Sequence, residues 1–367
     1  MSATFYPVVL AGGRGTRFWP LSRKKRAKQL LALAGKQTMI QQTVARLSPL
    51  APAKQFWVIT NGDLRPEICR QVRKLRPEQI MAEPVGRNTA PAIGLAAFIL
   101  ENINSEAVLG LFPSDHVVGD ESRFREVMSE GIEIASSGEN IVVLGIEPTR
   151  AETGYGYIEA ASLAAGNARH VRRFTEKPNA ERAQEFVRTG NYYWNSGMFL
   201  WSARTLTVAL KEHLPKTAAL LEKIAADYGT RKFPATFQRL YPKCENISVD
   251  YAILEPRSAK GEQESNIFCL RADFGWNDLG SWTALHEHHA GQRAETDGNL
   301  VSSQGIFSLN ASGNYVHAPG KFVALVGIKD AIVVETDDAL LITTREDAQD
   351  VGKVVKYLDE KKLKKLV

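Results

Sequence analysis

The stretch VVLAGGRGTRFWPLSRKKRAKQLLAL, residues 8–33, opens on a short apolar run that gives way to three closely spaced glycines, Gly12, Gly13 and Gly15. Seven basic side chains follow between Arg14 and Lys28, with no acid among them. An apolar run that stops at glycines reads as a buried parallel strand, Tyr6–Ala11, handing over to a loop. Glycines let the chain turn tightly and bring backbone N–H groups close to a phosphate. Arg14, Arg17 and Lys28 add side-chain cations that can converge on the same anion. The spacing fits neither common phosphate fingerprint. G-x-G-x-x-G needs a glycine where Phe18 stands, and no Gly-Lys-Ser/Thr follows. For Arg23, Lys24, Lys25 and Arg26 a plain solvated run competes evenly with a binding role.

Outward from this stretch, strands and helices alternate. Gln55–Thr60, Gln79–Ala82, Ala107–Phe112 and Ile141–Leu144 read as strands. Met39–Leu47, a run from about Ala90 to Glu101, and the series Phe124, Val127, Met128, Gly131, Ile132 and Ala135 carry helical spacing. The alternation predicts an α/β fold whose open, mostly parallel sheet has helices on both faces. From about Gly298 the texture changes. Short apolar runs (Gly305–Leu309, Tyr315–His317, Val323–Val326, Ala331–Glu335, Ala339–Thr343) recur at roughly eight-residue spacing, which predicts a small all-β domain, a coil of short strands. Residues 290–298 read as a linker, and Arg345–Val367 as an amphipathic helix with a solvated lysine-rich tip.

Length and composition bound the rest. The chain has 367 residues, 44% hydrophobic and 24% charged, an ordinary globular balance for about two domains. No apolar run approaches a membrane span, and the start MSATFYPVV lacks the features of a signal peptide. Three scattered cysteines, Cys69, Cys244 and Cys269, form no C-x-x-C and read as free thiols of a reducing compartment, so the expected location is cytoplasmic. The net charge of +5 is uneven. Residues 1–62 hold ten Lys/Arg and no acid, leaving 36 basic against 41 acidic residues in the remainder. A general polyanion binder spreads its charge more widely, so neither a nucleic acid nor a membrane is an expected partner.

GGRGTRFWPLSR (Gly12–Arg23) followed by Lys28-Gln29 resembles the signature of the sugar-1-phosphate nucleotidylyltransferases, and within them the bacterial mannose-1-phosphate guanylyltransferases. EPVGRNTAPA (Glu83–Ala92), PSDH (Pro113–His116), FTEKP (Phe174–Pro178) with NSGMFLW (Asn195–Trp201), and WNDLGSW (Trp276–Trp282) match the same family in order, across essentially the whole chain. Ala27 stands where the family usually has proline, and Phe18 where leucine is common. Longer members add a cupin-type isomerase domain, and this chain ends before one.

The resemblance implies a Rossmann-like nucleotidyltransferase sheet in a catalytic domain of residues 1–290, a left-handed β-helix-like domain at 298–345 and a C-terminal helix at 346–367. It implies transfer of a nucleotidyl group from GTP to mannose 1-phosphate with release of pyrophosphate. Arg17 and Lys28 are expected to hold the triphosphate, and Leu10, Gly12, Gly13, Arg14, Gly15 and Thr16 to follow the nucleotide. Asp115 and Asp278 are expected to carry Mg²⁺, which takes one or two protein carboxylates and fills its shell with phosphate oxygens and water. Lys177 is expected at the sugar phosphate, with Glu176, Asn195 and the backbone of Gly156 at the sugar. Glu83 is expected to read the base, since a carboxylate offers two acceptors to the two parallel donors on guanine, with Asn88 and Thr89 assisting.

Three readings compete with this one: guanylyl transfer to another hexose or heptose 1-phosphate, a catalytically silent sugar-nucleotide sensor, and a nucleic-acid or dinucleotide binder. The sensor is disfavoured because Arg17, Lys28, Asp115 and Asp278 are all present. His286, His288 and His289 lack an acidic partner at ligand spacing and read as polar helix residues, and His116 as a residue that orients its loop. A homodimer is left open.

Overall fold

The computed structural model describes residues 3–262, 264–291 and 297–367, so most of the expected linker lies outside the described residues. Strands β1 (Thr4–Leu10), β2 (Trp57–Asn61), β3 (Ile80–Glu83) and β4 (Ala107–Pro113) pair in parallel in the order β3-β2-β1-β4. Both faces of these strands are buried, and this explains their unbroken apolar runs. Val8 points into one core with Leu109, Leu111 and the helix Thr89–Ile103. Val9 points into the other, with Val108, Phe112 and the helix Glu121–Ser136. Each such fully buried side chain stabilises the fold by about 1.5–3 kcal/mol.

After β4 comes a two-residue strand, β5 (Val117–Val118). Then follow β6 (Ile141–Ile146), β7 (Tyr157–Ala165), β8 (Ala168–Thr175), β9 (Tyr192–Ser202) and β10 (Ile267–Arg271). The full sheet runs β3-β2-β1-β4-β9-β6-β10-β8-β7. The open α/β sheet is as expected, but it is mixed and not mostly parallel: β1, β2, β3 and β4 pair in parallel, as do β6 and β10, and the other pairings are antiparallel. In the second half β9 runs antiparallel between β4 and β6, and the β7–β8 hairpin lies antiparallel at the far edge. Strand β11 (Trp276–Asn277) pairs antiparallel with β5, and this short ribbon draws two loops distant in sequence to one place.

The C-terminal strands β12 (Leu300–Leu309), β13 (Tyr315–Val326) and β14 (Ala331–Glu335) stack in parallel, and β15 (Leu340–Thr344) closes against β14 antiparallel. Two of the expected short runs are one strand, β13, whose register against β12 slips where Pro319 and Gly320 intervene. A buried ladder supports the turns: Asn314 Nδ2 donates to Asn299 Oδ1 at 2.8 Å and to the Ile328 carbonyl at 2.9 Å. The terminal helix is Val351–Glu360, shorter than the segment expected to be helical. A third core joins the halves of the chain. It packs Phe18, Trp19 and Leu31 with Trp282, Ile332, Leu341, Val351 and Val355. Among the described residues no helix is long and apolar enough to cross a membrane.

Candidate active site

Four side chains hold the carbonyls of the glycine loop. Gln29 Nε2 donates to the carbonyls of Ala11 (2.9 Å) and Gly13 (3.0 Å), and Thr60 Oγ1 also donates to Ala11 (2.9 Å). Asn61 Nδ2 reaches the Gly12 carbonyl (3.3 Å), and Ser22 Oγ the Gly15 carbonyl (2.8 Å). With the carbonyls turned inward, the N–H groups of Gly12, Gly13, Arg14 and Gly15 have no acceptor among the described residues. Successive unpaired amides on a concave loop make an anion receptor. Gly15 sits at φ 62°, and a Cβ there would run into Lys28, so only glycine lets the loop lie against that lysine. Leu10 ends β1, and its carbonyl accepts from Ser114 N at 3.1 Å, tying the loop to the segment that carries Asp115.

Lys28 is 5% exposed. Its Nζ donates to Asp115 Oδ2 at 2.8 Å and to the Asp278 carbonyl at 2.5 Å. Asp115 follows β4 and Asp278 follows β11, so both leave strand ends, the first from the carboxyl end of the parallel sheet where such folds bind ligands. Burial pushes the Asp115 carboxyl up, but Lys28 and His116 outweigh it and hold the group below the ordinary carboxylate range. Burial likewise pulls His116 down to about 4, so its ring is neutral at pH 7 and accepts from Trp276 Nε1 through Nδ1 (3.1 Å). His116 thus braces its loop, as its sequence position suggested. Asp278 Oδ1 accepts from Tyr155 Oη (2.7 Å) and Gly280 N (3.1 Å), while Oδ2 has no partner among the described residues. Arg17 Nη1 donates to the Gly280 carbonyl at 2.9 Å. Lys28 thus binds the Asp115 carboxylate and the backbone of Asp278, and the two aspartates offer the hard oxygen donors that suit a divalent cation completing its shell with phosphate oxygens. The described residues hold no group of three or more His, Cys, Asp or Glu arranged as a metal cage.

Glu83 ends β3, beside the glycine loop: a Cβ on Gly12 would stand 3.6 Å from its Oε2. Its other oxygen, Oε1, accepts from Tyr241 Oη at 2.5 Å. Burial raises the carboxyl's pKa, and the tyrosine bond works against that rise. Asn88 caps the helix Thr89–Ile103, accepting from Thr89 N at 2.9 Å, and Thr89 Oγ1 accepts from Val249 N at 2.9 Å. These bonds shape the loop between β3 and that helix.

In the third group, Gly156 lies against Glu176 and Asn195, and a side chain there would strike the Glu176 carboxylate. Lys177 Nζ pairs with Glu176 Oε1 at 3.1 Å and is the more exposed partner. Asn195 Nδ2 donates to Asp250 Oδ1 (3.0 Å), and Glu176 N to Glu255 Oε1 (2.7 Å).

Sequence reasoning missed Tyr155, Tyr241, Asp250 and Glu255. Only Tyr155 carried a signal, its place next to Gly156. Tyr241–Glu255 contacts both the Glu83 loop and the Glu176–Asn195 group, and includes a wide helical turn at Asp250–Leu254 of the kind found at functional sites. The Arg23–Arg26 run is partly structural: Arg23 pairs with Asp338 of the β domain (2.8 Å) and lies over Trp19. Arg14 reaches Asp359 of the terminal helix (3.2 Å). His286 and His289 bond the carbonyls of Gly298 and Leu33.

Residues 6–295 match the family described as Nucleotidyl transferase, and residues 296–358 the MannoseP isomerase/GMP-like beta-helix domain. The chain is 39% identical over 362 residues to the mannose-1-phosphate guanylyltransferase of Escherichia coli K12, covering 96% of this chain and 73% of that one. It is also 39% identical over 362 residues to the alginate biosynthesis protein AlgA of Pseudomonas aeruginosa, covering 96% and 72%. The crystal structure of the Thermus thermophilus protein named mannose-1-phosphate geranyltransferase superposes with a TM-score of 0.85 at 31% identity, covering 97% of this chain and 99% of that one.

Proposed function

We infer the reaction from the premise that the chain belongs to the nucleotidyl transferase family: it transfers GMP from GTP to mannose 1-phosphate, giving GDP-mannose and pyrophosphate. An oxygen of the sugar phosphate forms the new bond to the α-phosphorus while the bond from that phosphorus to the β-phosphate bridging oxygen breaks. Anion must approach anion, so positioning and fixed positive charge do most of the catalysis.

In this reading the open amides of Gly12–Gly15 follow the triphosphate. Lys28 and Arg17 neutralise charge that builds on the departing pyrophosphate, with Arg14 and Thr16 at the loop's outer side. Lys177 holds the attacking phosphate, and Glu176 and Asn195 accept and donate hydrogen bonds at the sugar hydroxyls against the Gly156 backbone. Glu83 reads guanine. Asp115 and Asp278 are the residues that would hold the family's divalent cation, in our reading Mg²⁺; when bound, it supplies positive charge to phosphate oxygens. The cytoplasm, where nucleoside triphosphates are plentiful, is where we place the reaction.

The observation that carries the reading is the buried Lys28 ammonium joining Asp115 and Asp278 beneath a loop with unpaired amides. A pyrophosphate-release assay over a panel of triphosphates and sugar 1-phosphates, with and without Mg²⁺, tests it. GTP with mannose 1-phosphate should turn over fastest. Lys28→Ala and Asp115→Ala should each lower kcat by about 10²–10³. Near-normal turnover in either variant refutes the assignment.

A further inference from the structure

We propose that Tyr241 is a specificity-determining residue for the nucleotide: its hydroxyl fixes the Glu83 carboxylate in the one orientation that offers the base two acceptor oxygens. The inference rests on Glu83 reading the base.

The Tyr241 ring is fully buried and meets Phe237 edge-on, with centroids 5.1 Å apart. Its hydroxyl donates to Glu83 Oε1 at 2.5 Å and has no other partner among the described residues. Burial leaves the ring no room to turn away, and Arg87 Nη2, four residues past Glu83, donates to the carbonyl of the adjacent Pro242, tying the two segments together. Glu83 Oε2 is left facing Gly12, on the side where the nucleotide passes. A carboxylate has about four lone-pair sites, so the hydroxyl takes one and leaves both oxygens able to accept. Burial favours protonation of Glu83, and the donated hydrogen bond opposes it. A protonated Glu83 would present one donor and one acceptor, which suits the mixed edge of uracil and mismatches guanine.

The arrangement therefore predicts selection at the exocyclic amine. Guanine presents a ring N–H and that amine as parallel donors. Hypoxanthine keeps the ring N–H and lacks the amine. Without the tyrosine hydroxyl the carboxylate can swing or take up a proton, and the amine then contributes little.

The test compares the unaltered protein with Y241F, Y241H and E83Q. Steady-state kinetics with mannose 1-phosphate use GTP, ITP and UTP, and calorimetry measures GDP against IDP binding without sugar phosphate. In Y241F, kcat/KM for GTP should fall about tenfold, mainly through KM, while that for ITP falls less than about threefold. The GDP preference over IDP should shrink in parallel. Y241H, whose shorter ring carries no donor to the place of the hydroxyl, should lose both preferences as Y241F does, and it serves as the working variant should Y241F fold poorly. If Y241F or Y241H keeps full GTP/ITP discrimination while E83Q loses it, Tyr241 only packs and the proposal is overturned. If E83Q also keeps the discrimination, the base assignment falls and this inference with it.

Discussion

Asp250 sits beside Glu176 with its carboxyl largely removed from water. Burial first, and then the Glu176 carboxylate, push it up to about 6 from an ordinary 3.8. The folded chain thus holds this proton more tightly than the unfolded chain. The stability this provides is full below about pH 4 and is lost as pH rises through about 6. Asp250→Asn keeps the shape and removes the titration. Urea unfolding of this variant should lack that decline between pH 4 and pH 7, and the variant should be more stable than the parent at pH 7.5 by up to about 3 kcal/mol. An unchanged pH slope would show that Asp250 is not the group responsible. The individual residues divide sharply in how far sequence alone revealed them. Lys28, Asp115 and Asp278 stood in recognisable segments, and they do converge. Tyr241 and Asp250 lie in a stretch with no periodicity, and each meets a partner 158 and 55 positions away, a relation that no local pattern encodes.

Among the elements, the terminal helix Val351–Glu360 has the least expected role. Its Gly352 faces the turn Thr16–Phe18, where a Cβ would come no closer than 3.5 Å to Thr16 Oγ1 and 3.9 Å to Arg17 Cγ. That is ordinary contact, so alanine fits and a longer side chain does not. Gly352→Ala should raise stability by about 0.5–1 kcal/mol through helix propensity while keeping the KM for GTP near normal. Gly352→Leu should raise that KM several-fold with a smaller change in the KM for mannose 1-phosphate. Equal KM values in all three proteins would show that the helix does not shape the loop. The sequence did announce an amphipathic helix here. What it buries against was hidden, because an apolar stripe records that a partner exists and says nothing of which one. The same limit explains β9: its segment was legible only as the motif Asn195–Trp201, and its insertion antiparallel between β4 and β6 was not.

At the scale of the molecule, the third core decides how the chain behaves as a unit. Trp282, with no exposed surface, packs against Phe18 of the glycine-loop segment (4.9 Å between rings) and Tyr315 of the β domain (5.5 Å). Trp282→Ala should cost about 3–5 kcal/mol and weaken GTP binding together with stability. Calorimetry of the unaltered chain should give a single transition that GTP shifts upward. Two well-separated transitions, only one of them moved by GTP, would contradict this coupling. The change of texture near Gly298 made the two-part organisation legible, since eight-residue spacing and strand–helix alternation are different periods. The contact between the parts was not legible, because Phe18, Trp282 and Tyr315 are scattered apolar residues until the fold assembles them.

Tyr241–Glu255 stands behind two groups of side chains at once, with Tyr241 on Glu83, our proposed base reader, and Asp250 and Glu255 on Asn195 and Glu176, which we propose meet the sugar. The two preferences therefore share a hinge pin and are not free to drift apart. A lineage, or an engineer, that retunes this protein for another nucleobase by altering the buried tyrosine should find hexose recognition loosened as well. Mutations that restore it should gather in the same short segment rather than around the sugar.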